Sequence, residues 1–306
     1  MLVRAPTREV RDWFCDSRQW DRYRPRADDI VIATAARVGT TWTQQIVSLL
    51  VFQSPEPRDI MAVSPWIDCR FMMPIEAMAP MVAAQPHRSI LKSHLPADAL
   101  PLYDELRYIH VARGGLDACM SQFNFLNGFS PEQLAAFDAH GLADDVIGRP
   151  FPRTPATARE FFRWWVDEAG EDFCMSANGI FSLERSFWAE RARPNVLLVH
   201  YNDLKADLSG EMRRIAAFLG IETPAALWPK LVEAATFETM RLNGAALLAQ
   251  VEARFKDGHK TFLHQGTNNR WQGVLTDEDV ALYRKRVANE LPADLGEWLE
   301  HGRLAG

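Results

Sequence analysis

The stretch "DDIVIATAARVGTTWTQQIVSLLVF", residues 28–52, decides the fold. Its β-branched run over 30–35 predicts a buried strand, and the apolar residues after Gly39 recur at helical spacing, which predicts a helix over 40–52. A strand, a short glycine loop and a helix start together aim backbone N–H groups at an anion. The sequence therefore predicts an anion-binding loop between residues 36 and 42.

The loop does not match the pattern that binds a Mg-nucleotide. That pattern is G-x-x-x-x-G-K-[ST], in which the lysine reaches the phosphates and the Ser or Thr binds Mg²⁺. Here Arg37 and Val38 precede Gly39, and Thr40 and Thr41 follow it directly. We therefore expect this loop to bind an anion other than the phosphates of a Mg-nucleotide.

The composition is that of an acidic globular chain. Its 306 residues are 47% hydrophobic and carry a formal net charge of −6, without any Lys/Arg-rich stretch. This composition predicts a packed core and argues against nucleic-acid binding. We find no repeat and no low-complexity linker, so we predict a single domain over residues 1–306. An anionic ligand must then be held by a local basic cluster.

Cysteine spacing and hydropathy predict a cytoplasmic protein without integral membrane association. No C-x-x-C pattern occurs, and four widely spaced cysteines are typical of reduced thiols in a cytosolic chain; they are Cys15, Cys69, Cys119 and Cys174. The N-terminus lacks an apolar signal-peptide region, and runs such as Leu49–Phe52 are far too short to cross a bilayer.

Strand and helix patterns alternate along the chain. The segments with the pattern of buried parallel strands are 30–35, 89–93, 107–112 and 196–201. Helical patterns cover 40–52, 116–126, 155–169, 179–192, 203–219, 224–236 and 277–290, and an irregular insertion is expected over 127–160. Alternation of this kind predicts an α/β fold of the P-loop-like, three-layer type, with a central parallel sheet and helices on both faces.

Basic and polar residues follow the predicted strands. Arg37 comes after the first strand, Lys92 to His94 end the second, Arg113 follows the third, and Asn202 follows the fourth. The carboxyl ends of parallel strands meet at one edge of a sheet, which is where α/β folds bind ligands. The sequence therefore predicts one crevice with converging positive charge.

Several motifs carry a resemblance to a known family; they are Ala36–Trp42 (ARVGTTW), Lys92–Pro96 (KSHLP), Arg113 with Ser121, Tyr201, Phe237 and Gly266–Trp271 (GTNNRW). In this order they resemble the cytosolic-type sulfotransferases, and particularly their bacterial members, over about residues 28–300. The family uses 3'-phosphoadenosine 5'-phosphosulfate (PAPS) as donor. The resemblance implies transfer of a sulfuryl group to a small apolar acceptor, without a metal.

The resemblance also implies roles for individual residues. His94 is the expected general base, and Arg37 and Lys92 are expected to neutralise charge on the leaving phosphate oxygen. Arg113 and Ser121 match the pair that binds the 3'-phosphate. The remaining expected donor contacts are Val38, Gly39, Thr40 and Thr41 through backbone N–H groups, Trp42 and Tyr201 at the adenine, Phe237, and the C-terminal loop residues His264, Gln265 and Gly266.

Four positions depart from the family pattern. The family's loop has lysine and serine where this chain has Arg37 and Val38, so a charge is kept and a hydroxyl is lost. The family's Arg-Lys-Gly is His264-Gln265-Gly266 here. The site for the donor's 3'-phosphate therefore has at least one fixed positive charge fewer than the family pattern. The expected affinity for the donor is reduced accordingly.

The acceptor is less clearly indicated. Aromatic residues are dense in two stretches and near Trp66, and they either form core or line an apolar acceptor site; they are Phe123, Phe125, Phe129, Phe137, Phe161, Phe162, Trp164, Trp165 and Phe173. A phenol, a steroid-like alcohol and a glycolipid stay open as acceptors, as do an amine acceptor and a homodimer. Two alternative functions are a small-molecule P-loop kinase and a nucleotide-binding protein that has lost catalysis.

Overall fold

The computed structural model describes residues 1–167 and 175–303. The strands are β1 (Leu2–Arg4), β2 (Ile30–Thr34), β3 (Ile90–Ser93), β4 (Leu102–Tyr103), β5 (Arg107–Ala112) and β6 (Val196–His200). Four of them form a parallel sheet in the order β3-β2-β5-β6, while β1 and β4 form a separate antiparallel pair. Ile32 lies opposite Lys92 on one side and Ile109 on the other, so β2 is central.

The helices are α1 (Thr40–Phe52), α2 (Ile60–Val63), α3 (Ile75–Ala83), α4 (Gly115–Asn127), α5 (Pro131–Ala143), α6 (Ala158–Trp165), α7 (Ala177–Ala189), α8 (Tyr201–Ala206), α9 (Leu208–Phe218), α10 (Trp228–Ala234), α11 (Phe237–Leu242), α12 (Gly244–Leu247), α13 (His259–Phe262), α14 (Asp277–Glu290) and α15 (Ala293–His301). Short 3-10 helices occur at Ser17–Arg22, Ala97–Ala99 and Ala249–Arg254.

Both faces of the sheet are covered. All five residues of β2 are buried, and because side chains alternate along a strand, the four apolar ones divide between two hydrophobic clusters. Ile30 and Ile32 pack with α1, α9 and α10, whereas Val31 and Ala33 pack on the side of α4, α6 and α7. The predicted three-layer α/β fold is confirmed.

The four predicted parallel strands are confirmed, as are the bounds of α1 and α14. The helix expected over 203–219 is interrupted, because the Asp207 carboxylate accepts a hydrogen bond from the Gly210 N–H (2.8 Å) and starts α9 as a new helix. The helix expected over 155–169 is Ala158–Trp165, and residues 168 and 169 lie outside the described residues.

The prediction of an irregular insertion over 127–160 is wrong in its first half. Residues 131–143 form α5, which begins with the Ser130 hydroxyl accepting from the Gln133 N–H (3.2 Å) and with Pro131 in the first turn. Phe137 buries this helix against the core. The Pro, Gly and Asp content suggested a loop, but serine before proline is equally typical of a helix start.

Apart from α5, the elements that the sequence pattern did not predict are short. The antiparallel pair β1–β4, α2, α3, α11, α12, α13 and α15 all span nine residues or fewer. Such segments are too short to display a full period of hydrophobic residues.

None of the helices in residues 1–167 and 175–303 combines the length and the apolar character needed to cross a bilayer. The single domain, the cytoplasmic location and the homodimer stay predictions.

Candidate active site

A cavity of about 800 Å³ opens at the carboxyl ends of β2, β3 and β5. Fourteen of the fifteen predicted site residues line it; they are Arg37, Gly39, Thr40, Thr41, Trp42, Lys92, His94, Arg113, Ser121, Tyr201, Phe237, His264, Gln265 and Gly266. The exception is Val38, whose side chain is fully buried in the core. Val38 can therefore reach a ligand only through its backbone.

The loop between β2 and α1 turns sharply. Arg37 has φ +70° and Gly39 has φ +121°, both in the region that L side chains seldom adopt. A Cβ on Gly39 would lie 3.1 Å from Cδ2 of Tyr201, so the glycine also permits a close approach. The Thr43 N–H donates to the Gly39 carbonyl (3.0 Å), which leaves the N–H groups of residues 40–42 without partners inside the helix.

Side chains from α4 and α6 hold this loop through buried hydrogen bonds. The Gln122 side-chain amide donates to the Ala36 carbonyl (2.9 Å) and accepts from the Trp165 indole N–H (2.7 Å). The hydroxyls of Thr34 and Thr40 lie 2.6 Å apart and join the strand end to the helix start. All these contacts are buried, so the loop is held in shape by its surroundings.

Arg37 lies between two phenylalanines. Its Nη2 donates to the Phe262 carbonyl (2.7 Å), and the guanidinium carbon is 4.8 Å from the Phe125 ring centre and 4.6 Å from that of Phe262. Burial, and then repulsion from Arg113, lower the pKa of Arg37 to about 10. Its buried Nε has no hydrogen-bond partner in the described chain.

Arg113 is only 5% exposed and packs on Tyr201, with its guanidinium carbon 4.2 Å from the ring centre. Its Nη2 donates to the Thr267 carbonyl (2.9 Å) and to Oδ1 of Asn268 (2.8 Å). Burial lowers the pKa of Arg113, and its Nε has no partner among the described residues. Arg113 therefore connects the end of β5 to the C-terminal loop.

Asp117 is not the hydrogen-bond partner of Arg113. Its carboxylate instead accepts from the backbone N–H of Asn269 (2.6 Å), which ties the C-terminal loop to the first turn of α4. On that loop, Gly266 has φ +66°, and its carbonyl accepts from the Tyr201 hydroxyl (3.1 Å) and from Nζ of Lys205 (2.9 Å). The loop is thus held against the cavity at several points.

Arg270 is a cavity residue that sequence reasoning did not identify. Its Nη1 donates to Nδ1 of His264 (2.9 Å). Burial and repulsion from Arg113 lower the pKa of Arg270, and burial followed by Arg270 lowers the pKa of His264. His264 is therefore neutral near pH 7, and Arg270 supplies the positive charge on this loop. The available signal was an arginine within the GTNNRW motif.

The charge lining the cavity has one sign. Among its described lining residues no Asp or Glu occurs, whereas five are basic: Arg37, Lys92, Arg113, Arg254 and Arg270. Because the chain as a whole carries a net charge of −6, this excess is local. Buried like charges repel one another, and an anion bound between them offsets this repulsion. We name the region formed by Arg37, Arg113, Arg270 and residues 39–42 the cationic end.

His94 lies beside the cationic end. Its Nδ1 is 2.6 Å from the Thr34 carbonyl, which can only accept, so Nδ1 carries a proton and Nε2 keeps its lone pair when the ring is neutral. Nε2 makes no hydrogen bond within residues 1–167 and 175–303, and the ring is 6% exposed to the cavity. Burial, and then Lys92, lower the pKa of His94 well below 6.5.

Asp68, which sequence reasoning also missed, orients the groups around His94. Its Oδ2 accepts from the His94 backbone N–H (3.1 Å) and from the Trp66 indole N–H (2.7 Å). Trp66 packs edge-on against the His94 ring at 4.7 Å, and Nζ of Lys92 lies 3.9 Å from the Trp66 ring centre. One buried carboxylate thus positions the histidine and the tryptophan together.

The aromatic residues divide between core and cavity. Phe161, Phe162 and Trp165 are fully buried and do not line the cavity. Phe173 lies outside the described residues. The aromatics from the predicted set that do line the cavity are Trp66, Phe125, Phe129 and Phe137. We name the region formed by the cavity-lining residues among 60–82, together with Phe129, Phe137 and Met175, the apolar end.

Comparison with known proteins gives the family of this chain. A family profile described as a sulfotransferase domain matches residues 27–295. The chain is 32% identical to the glycolipid sulfotransferase of Mycobacterium tuberculosis (strain ATCC 25177 / H37Ra), covering 96% of this chain and 94% of the relative. It is 23% identical to human sulfotransferase 1C2, covering 88% and 86% respectively.

Solved structures share the fold. Mouse sulfotransferase SULT7A1 complexed with PAP matches with a TM-score of 0.68 at 19% identity, covering 92% of this chain and 90% of that chain. Retinol dehydratase in a complex with retinol and PAP also has a TM-score of 0.68, at 20% identity, covering 90% and 84%. Because the family profile spans most of the chain and a relative above 30% identity covers nearly all of it, the chain belongs to the sulfotransferase family.

Proposed function

We propose that this protein transfers a sulfuryl group from PAPS to an acceptor hydroxyl, with His94 as general base and without a metal. The observation that carries the proposal is the cavity with five basic and no acidic described lining residues, one end of which is a helix start. A phosphosulfate with a second phosphate is an anion of matching size and charge. The neighbours crystallised with PAP support a donor of this type.

The described side chains fit that donor. The buried Nε atoms of Arg37 and Arg113 have no partner within the described part of the chain, and a buried N–H without a partner costs about 1–3 kcal/mol until a ligand supplies an acceptor. The N–H groups of residues 40–42, which have no acceptor inside the helix, suit the 5'-phosphate. Arg113 and Ser121, which lines the same cavity, suit the 3'-phosphate, with Trp42, Tyr201 and Phe237 around the adenine.

Arg270 has a specific part in this proposal. The family's two basic residues in the C-terminal loop are replaced by His264, which is neutral, and by Gln265, which is exposed. Arg270 lies on the same loop, contacts His264 and repels Arg113. We assign it the electrostatic contribution to 3'-phosphate binding that the departures at His264 and Gln265 remove.

The transfer step follows from the His94 geometry. As the acceptor oxygen forms its bond to sulfur, its proton moves to Nε2 of His94, and Nδ1–H keeps the ring oriented on the Thr34 carbonyl. The bond between sulfur and the bridging oxygen breaks, and the electron pair stays on the 5'-phosphate of the leaving nucleotide. Arg37 and Lys92 neutralise the charge that develops there.

The experiment that tests the proposal is an acceptor screen with sulfur-labelled PAPS, run with and without excess EDTA. Label should move to a hydroxyl acceptor at the same rate under both conditions. Loss of activity with EDTA that Mg²⁺ and ATP restore would favour the P-loop kinase. Tight nucleotide binding without transfer to any acceptor would favour a protein that has lost catalysis.

A further inference from the structure

Methionine is concentrated around the cavity. Forty-six of the described residues line it, so an even distribution would place one or two of the ten methionines there, yet seven are found among them. Five of the seven come from α2, α3 and the segment before α3; they are Met61, Met72, Met73, Met78 and Met81. The other two are Met175 and Met240.

These methionines run from the interior to the surface. Met240, Met175 and Met78 are 2%, 3% and 4% exposed, whereas Met73 and Met81 are 40% and 57% exposed at the edge of the same cavity. The apolar wall therefore continues to solvent. A ligand longer than the buried part of the cavity can extend along it and leave its end outside.

The aromatic rings at this end are already packed on one another. Phe71 meets Phe14 edge-on at 5.4 Å and Phe137 edge-on at 5.0 Å, and Phe137 meets Phe129 edge-on at 5.1 Å. These three pairs meet edge to face. Phe14 and Trp66 are nearly parallel, but their ring centres are 6.4 Å apart, which is within the range of two rings packed directly on each other. The adaptable part of the wall is methionine, whose unbranched and polarisable side chain fits flexible ligands of irregular shape.

We propose that the acceptor is an alcohol with a long, flexible alkyl chain, which the methionines hold while its hydroxyl meets His94. This inference rests on the proposed function. The polar head lies at Trp66 and His94, where the apolar end meets the cationic end. The chain then passes the buried Met78 and Met175 and leaves the protein between Met73 and Met81.

The test is a series of straight-chain primary alcohols from butanol to dodecanol, with 4-nitrophenol as a rigid acceptor, at saturating PAPS. Each buried methylene should raise kcat/KM about three- to fourfold until the chain reaches the surface. If kcat/KM did not change along the alcohol series and 4-nitrophenol were sulfated efficiently, the alkyl-chain acceptor would be overturned. The sulfotransferase proposal would still stand. Transfer to none of these acceptors would overturn both.

Variants at the opening sharpen the test. Met81→Glu places a charge beside the emerging chain, so the rise of kcat/KM with chain length should flatten for the longest alcohols. Leu242→Glu is the matched control, because Leu242 is 83% exposed and does not line the cavity. An identical chain-length profile in Met81→Glu and Leu242→Glu would contradict the proposed exit.

A second pair of variants probes the buried part. Met78→Trp fills the channel and should move the optimum to shorter alcohols, whereas Met78→Leu conserves volume and should keep it. Thermal unfolding of both variants separates a blocked channel from a destabilised protein. An unchanged optimum in a folded Met78→Trp protein would overturn the assigned path.

Discussion

The cationic end and the apolar end of the cavity are built differently. At the cationic end, Arg37, Arg113 and Arg270 are held by backbone carbonyls, an amide and an imidazole, so the positions of their charges are fixed. The apolar end is formed by methionine and phenylalanine contacts, which have no preferred direction. A donor with fixed phosphates matches the first kind of wall, and an acceptor of variable shape matches the second.

This difference has an energetic reason. A misplaced charge in a buried site costs several kcal/mol, so the cationic end must be preorganised. Apolar contact is roughly proportional to buried area and tolerates rearrangement. We therefore expect substitutions at the cationic end to have large and specific effects, and substitutions at the apolar end to change preference among acceptors.

The largest effect is expected where the two ends meet. His94→Gln removes the proposed general base and should lower turnover by about two to four orders of magnitude, while the Kd for adenosine 3',5'-bisphosphate changes little. His87→Gln is the matched control. His87 lines the same cavity, but its ring packs on Phe52 at 4.7 Å and its Nδ1 contacts the Arg88 carbonyl. Similar losses in both variants would remove His94 from the mechanism.

The next effect concerns the donor. Arg113→Ala and Arg270→Ala should each raise the Kd for adenosine 3',5'-bisphosphate about tenfold or more, because a hydrogen bond to a charged group contributes about 1.5–3 kcal/mol. The loss should be smaller for adenosine 5'-phosphate, which lacks the 3'-phosphate. Calorimetry measures both.

Arg254→Ala is the control for those two variants. Arg254 lines the same cavity from the 3-10 helix Ala249–Arg254, beside Phe255. Its removal should leave nucleotide affinity almost unchanged. If Arg254→Ala weakened the nucleotide as strongly as Arg113→Ala, the charge in the cavity would be acting as a diffuse field, and the distinction between the two ends would fail.

The pKa of His94 offers a direct measure of the local charge. In the free protein its imidazole should titrate below pH 6.5, since burial and Lys92 both disfavour the charged ring. Activity should therefore persist below pH 6.5 and fall only as His94 takes up a proton. Lys92→Met removes one repulsion, and bound adenosine 3',5'-bisphosphate adds negative charge, so each should raise this pKa in an NMR titration. A pKa that both changes leave untouched would contradict the assignment of His94 to this cluster.

The smallest effect is expected at Gln265. This side chain is exposed, so the charge that Gln265→Lys adds is screened by solvent. Its attraction to the 3'-phosphate should contribute about 0.2–1 kcal/mol. The Kd for adenosine 3',5'-bisphosphate should fall at most about fivefold, and the gain should disappear at high salt. A much larger gain would mean that Gln265, rather than Arg270, occupies the position beside the 3'-phosphate.

Sequence patterns predicted the cationic end better than the apolar end. The loop, His94, Arg113 and Ser121 follow strand ends, and a parallel sheet brings those ends together. Arg270 was missed because its motif could not show that its side chain contacts His264. Asp68 was missed because it reaches His94 across 26 residues through a fold of the backbone. For Phe161 and Trp165 the sequence left core and acceptor site open, and both residues are core.

The sequence by itself determined the strand, loop and helix units, the charges at the strand ends and the family. Those features depend on hydrogen bonds and hydrophobic periods that repeat within a dozen residues. The tertiary structure decided the strand order β3-β2-β5-β6, the neutral state of His264, and the gathering of methionines as distant in sequence as Met61 and Met240 around one cavity. Which side chains share a cavity depends on how distant segments pack, and packing is a property of the whole folded chain.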